Sequence, residues 1–117
     1  MRYLMLIYQN NVAEEMAALT GEDQKAFYAE WAELNQTPGM APGLGLDDPG
    51  KAITVRGQGG GEPLTTDGPF PEVKESLGGY FVLEADDVDA AVEVARRVPS
   101  VRFGASVEIR PLVERWS

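Results

Sequence analysis

The sequence predicts a small α+β domain: one antiparallel sheet with helices packed on a single face. Three features predict it. An apolar, aromatic and branched segment at 3–8 opens the chain. Two stretches with helical spacing follow, each opened by a capping residue. Strand-like runs bounded by Gly, Pro and Asp lie between the helices and after the second.

Residues 3–8 (Tyr-Leu-Met-Leu-Ile-Tyr) read as a buried strand, and polar Gln9-Asn10-Asn11 ends it. Residues 12–19 can form a short helix of their own. Thr20 with Asp23 three residues on has the form of a capping box. Phe27, Trp31 and Leu34 then recur at four and three residues, a helical stripe. Pro38 stops this helix, because the residue before a proline is pushed out of the helical region.

Residues 40–46 suit a short strand, weakened by Gly43 and Gly45. Asp47-Asp48-Pro49-Gly50 is a turn. Residues 52–56 and 62–66 read as two strands of a hairpin with a glycine-rich tip at 57–61. That tip is no phosphate loop: no Gly-Lys-Ser/Thr ending and no helix follow it. Residues 79–85 form a strand. Asp86-Asp87 cap a second helix, with Val88, Ala91, Val92 and Ala95 on its apolar side, and Pro99 ends it. Arg96-Arg97 suit the negative end of that helix. Residues 106–113 alternate, with Val107 and Ile109 on one face and Glu108 and Arg110 on the other. The order is ferredoxin-like, βαββαβ, with a hairpin inserted in the middle. Such a sheet has one face without helices, which a second copy commonly covers.

Composition bounds the function. At 117 residues, 44% hydrophobic and 25% charged, the chain is one domain, 1–117, with a modest core. Burying a face against a second copy would help so small a domain. A net charge of −9 disfavours direct nucleic-acid binding and anionic membrane surfaces. With no cysteine, disulfides and thiolate chemistry are excluded. With no histidine, the commonest general base and metal ligand are missing. We expect no cofactor and no metal. The aspartate pairs 47–48 and 86–87 lack calcium-loop spacing and read as turn and cap residues. No apolar run reaches the length of a membrane helix, and the N-terminal segment is too short for a signal peptide, so a cytoplasmic location is expected.

Residues 65–80 (Thr-Thr-Asp-Gly-Pro-Phe-Pro-Glu-Val-Lys-Glu-Ser-Leu-Gly-Gly-Tyr) resemble the signature of the DGPF proteins, within the YCII-related superfamily. Residues 3–8 resemble that family's opening strand, 86–91 its second helix and 107–112 its closing strand. The first helix and the loop 47–61 match loosely. The resemblance implies a dimeric α/β barrel of two ferredoxin-like subunits with a cleft near the DGPF turn. It implies no known reaction. Some members are associated with extracytoplasmic-function sigma factors, which would make this chain a regulatory partner. Other YCII proteins are suspected of catalysis through a His–Asp pair. This chain has no histidine, so that pair cannot operate here.

Candidate site residues cluster around the motif. Asp67 could present a carboxylate at a cleft mouth, as a catalytic group, with Gly68 allowing a tight backbone path. It could equally cap the turn through backbone amides. As a base it would need burial, because an exposed carboxylate is weakly basic near neutral pH. Lys74, between Glu72 and Glu75, could pair with Asp67 or an anionic ligand; pairing would weaken Asp67 as a base. Tyr80 follows Gly78-Gly79 and could donate its hydroxyl to a ligand, or serve as a core residue with a wet tip. Glu108 and Arg110 could line the cleft, with Arg110 holding a carboxylate, or form a cross-strand or intersubunit pair. Tyr8 and Arg56 are weaker candidates of the same kind. Phe27, Trp31 and Phe81 read as core or interface. These residues support a small-molecule-binding homodimer, or an enzyme of isomerase, lyase or hydrolase type using Asp67 with Tyr80 or Arg110.

Overall fold

The computed structural model describes residues 1–9, 12–68 and 76–113. Strands β1 (Arg2–Gln9), β2 (Leu44–Gly45), β5 (Ser76–Glu84) and β6 (Ser106–Pro111) form a four-stranded sheet in the order β2-β5-β1-β6. All its neighbours are antiparallel. Strands β3 (Ile53–Arg56) and β4 (Leu64–Asp67) form a separate two-stranded hairpin. Helices α1 (Val12–Ala17), α2 (Gly21–Leu34) and α3 (Val88–Arg96) complete the fold. Setting the hairpin aside, the sheet order is that expected of a βαββαβ chain.

Local signals explain the helix starts. The Thr20 hydroxyl accepts from the Asp23 amide at 3.2 Å, and the Asp87 carboxylate accepts from the Ala90 amide at 2.8 Å. Helix α2 ends at Leu34, before Pro38. Gly39 then turns the chain with φ +87, and a Cβ there would run into the Glu84 carbonyl. The Gly39 carbonyl accepts from the Glu84 amide at 2.8 Å, which pins this turn to the sheet.

The core lies between the helices and one sheet face. Strand alternation brings Tyr3, Met5 and Ile7 of β1 to that face, beside Leu83, Phe81 and Gly79 of β5. Ile109 and Val107 of β6 continue the rows through Met5 and Ile7. Leu34, Ala91, Val94, Ala95 and Val98 cover them. The α3 stripe differs from the expected one. Val94 is buried, Val92 is only half-buried, and Val88 is 50% exposed. Positions 91, 94, 95 and 98 follow helical spacing, so the later turns of α3 make the contact and its first turn stays in solvent.

The hairpin is less well covered. Ile53 and Val55 are 67% and 62% exposed. The molecule is elongated, 51 × 37 × 19 Å, with a radius of gyration of 16.4 Å. A compact domain of this length would have about 13 Å. Among the described residues, no helix is long and apolar enough to cross a membrane.

Candidate functional site

A cleft opens where side chains run out. On the helix-covered face, the row through Tyr3 carries Leu83, and the row through Met5 carries Phe81. The next row is Ile7, Gly79 and Gly45, with Gly79 and Gly45 paired across β5 and β2. Two facing residues there contribute no side chain, so the space between them and α2 is left unfilled. A cleft of about 360 Å³ remains. That is within the range, roughly 300–1,000 Å³, of small-molecule sites.

Helix α2 forms one wall with Phe27, Tyr28 and Trp31, and Asn35 follows at its C-cap. Phe27 is fixed by Phe103, ring centroids 5.6 Å apart, and by the Arg102 guanidinium 5.7 Å from its ring. Arg102 is held in turn by Glu30. Ile7 and Phe81 form the apolar floor, and the backbone of Gly43, Leu44 and Gly45 forms the far edge. The Gln9 side chain lies across Gly78, where any Cβ would collide with it. Polar side chains are therefore few: Gln9, Tyr28, Asn35 and Ser100, while Tyr80, whose side chain lies on the other face of the sheet, borders the cleft beside Gly79. Among the described residues, no Asp, Glu, Lys or Arg lines this cleft.

The opposite, open face carries a second grouping. The Tyr8 hydroxyl donates to Glu108 Oε1 at 3.2 Å, and Arg110 Nε donates to Glu108 Oε2 at 2.7 Å. Hydrogen bonding to the Arg110 guanidinium holds the Glu108 carboxyl below its ordinary range. The same bond pushes the Arg110 guanidinium up. Partial burial, with the Glu108 carboxylate beside it, pushes the Tyr8 phenol up.

The candidates from the sequence thus fall into separate places. Tyr8, Glu108 and Arg110 are brought together by direct hydrogen bonds. Tyr80 shares their face, since Phe81 beside it is buried in the core; it pairs with Leu6, which pairs with Glu108. Asp67 ends β4, exposed and opposite Ile53. Among the described residues, no contact joins it to Tyr80 or Arg110, and no amide bonds its carboxylate. Gly68 makes the tight turn with φ +94; its amide donates to the Ala52 carbonyl at 2.6 Å, and its carbonyl accepts from the Thr54 hydroxyl at 2.6 Å. Arg56 lies on β3 opposite Leu64. Lys74 and the rest of 69–75 lie outside the described residues. No group of three or more potential metal ligands occurs among the described residues.

Gln9, Tyr28 and Asn35 escaped the sequence reading, and Phe27 and Trp31 were expected only as core or interface. The available signal was glycine placement: Gly43-x-Gly45 in and just before one strand, and Gly78-Gly79 on another. Only their register shows that Gly45 and Gly79 face each other.

An antiparallel sheet covered by helices on one side, with a lateral cleft under the longest helix, defines an α+β protein. The chain belongs to the YCII-related domain family, whose model matches residues 1–116. Over 62 residues it is 37% identical to an uncharacterized protein of Rhizobium meliloti, a match covering 52% of this chain and 49% of that protein. The chain therefore spans about half the length of that relative. Its fold is similar to 5-chloro-2-hydroxyhydroquinone dehydrochlorinase from Burkholderia phenoliruptrix, solved in complex with 2,5-dihydroxybenzoquinone. That similarity has a TM-score of 0.52 at 15% identity and covers 97% of this chain and 94% of the other.

Proposed function

We propose that this chain is a ligand-binding homodimer, each copy holding a small molecule in the cleft between α2 and the Gly45–Gly79 pair. The observation that carries the reading is that paired absence of side chains, which leaves about 360 Å³ beside an aromatic wall. The last residues of the DGPF-like stretch, Gly78, Gly79 and Tyr80, border the cleft, which supports a site near that motif. The dehydrochlorinase of similar fold, described with a small ring compound, supports a small-molecule role. Binding is favoured over turnover because no charged side chain lines the cleft among the described residues.

The dimer reading rests on the open face. Leu4, Leu6, Tyr80 and Val82 lie on it half-buried, and Leu44 is 60% exposed. A row of this kind favours a cover. Its charges are balanced: Arg2 and Arg110 against Glu84 and Glu108, on a chain of net charge −9. Two such faces can meet without the repulsion that the rest of the surface would impose. Two sheets so paired make the dimeric barrel.

Light scattering on the eluting protein tests this. The wild type should elute at twice the chain mass and Leu6→Asp at the chain mass. A wild type that stays monomeric at micromolar concentration refutes the pairing. Equilibrium dialysis against 2-naphthol tests the cleft. Gly45→Phe should abolish uptake while preserving the fold, because a Cβ at Gly45 meets nothing within 4 Å. Unchanged uptake by the variant refutes the cleft as the site.

A further inference from the structure

We infer that the cleft selects an uncharged, planar ring compound over charged or saturated ones; this rests on the reading of the cleft as a ligand site. Trp31 and Phe27 of α2 offer aromatic rings on one side, and Phe81 with the glycine row of the sheet offers an apolar floor and bare backbone on the other. A flat ring gains contact on both sides of such a slot, whereas a puckered one of the same carbon count must lift off one wall.

Charge is disfavoured by the described lining residues, none of which is Asp, Glu, Lys or Arg. A carboxylate or phosphate entering the cleft would lose water and meet no lysine or arginine among the described lining residues. A cation would meet aromatic side chains, but no carboxylate among the described lining residues to offset its desolvation. The polar groups that are present suit rim substituents instead. The side-chain amides of Gln9 and Asn35 each offer a donor and an acceptor. They can bind hydroxyl or carbonyl oxygens at the edge of a ring without any change of charge. A neutral ring bearing one or two oxygens fits this set.

The test compares four probes by equilibrium dialysis at 0.5 M salt, roughly the range in which the chain's general negative field is screened to a few ångströms. They are 2-naphthol, 2-naphthalenesulfonate, (2-naphthylmethyl)ammonium and the saturated analogue 2-decalol. We expect 2-naphthol to bind at least tenfold more tightly than each of the others. Equal or tighter binding of the sulfonate or the ammonium overturns the charge selection. Equal binding of 2-decalol overturns the planar selection. In either case Gly45→Phe still abolishes binding if the cleft is the site, so the two readings fail separately. Gln9→Leu should weaken 2-naphthol and leave naphthalene unchanged; an equal loss for both probes overturns the role of the rim amide.

Discussion

Strand β1 has two faces, and they differ in what covers them, not in how apolar they are. Tyr3, Met5 and Ile7 point into the core and are each no more than 5% exposed. Leu4 and Leu6, between them, point to the open face and remain half-buried. A strand with one wet face normally alternates apolar and polar residues, whereas a continuous apolar run is the mark of a strand covered on both sides. β1 has the continuous apolar run of the second kind, although in the single chain one of its faces stays open. Its neighbours refine the contrast: β6 alternates cleanly, placing Val107 and Ile109 inward and Glu108 and Arg110 outward. The open face is thus apolar at its centre and charged at its margin, as interfaces generally are.

The largest way to break the comparison is to truncate the covered face. Met5 has no exposure, so Met5→Ala should cost about 2–5 kcal/mol in urea unfolding. Leu4→Ala, measured in the monomeric Leu6→Asp background, should cost clearly less. Equal losses at the two positions would show that the open face is packed within a single chain, against the contrast drawn above.

A smaller effect comes from the helix that supplies the cover. Asp87→Ala removes the side-chain acceptor at the start of α3 and should cost about 1 kcal/mol, while Asp87→Asn should restore most of it. Hydrogen exchange should quicken first at the Ala90 amide. Protection there that is unchanged in the alanine variant would rule out the cap.

The smallest effect is electrostatic and belongs to the open margin. Arg110 holds the Glu108 carboxyl below its ordinary value of 4.5. A carboxyl with a depressed folded value contributes stability above the unfolded value and loses it as pH falls through the folded one. Wild type should therefore exceed Glu108→Gln in stability at neutral pH. The gap should close as the pH is lowered through and below 4.5. Because the pair is exposed, the gap should be small. Urea titrations at stepped pH check this, and a gap constant down to the acid limit would mean that the Tyr8–Glu108–Arg110 bonds contribute nothing.

Much of the fold was legible because its signals are local. Thr20 and Asp87 cap helices through atoms three residues away, and Pro38 acts on its own backbone. The alternation at 106–111 needs only the pleat of a strand. The cleft was not legible, because its cause is a pairing. Gly45 and Gly79 are 34 positions apart in the chain, and nothing near either residue reveals that they lie opposite each other. Asp67 shows the converse. Its motif is conspicuous in the sequence, yet its carboxylate ends an exposed hairpin strand with no described partner.

Element types, helix starts, the acidic charge and the absence of histidine and thiol chemistry follow from composition or from neighbours a few residues apart. The facing of Gly45 and Gly79, the bonding of Tyr8, Glu108 and Arg110, and the cleft that Phe27 and Trp31 wall while also packing on the core emerge only in three dimensions. Those outcomes depend on strand register and helix placement, which are fixed by the packing of the whole chain at once.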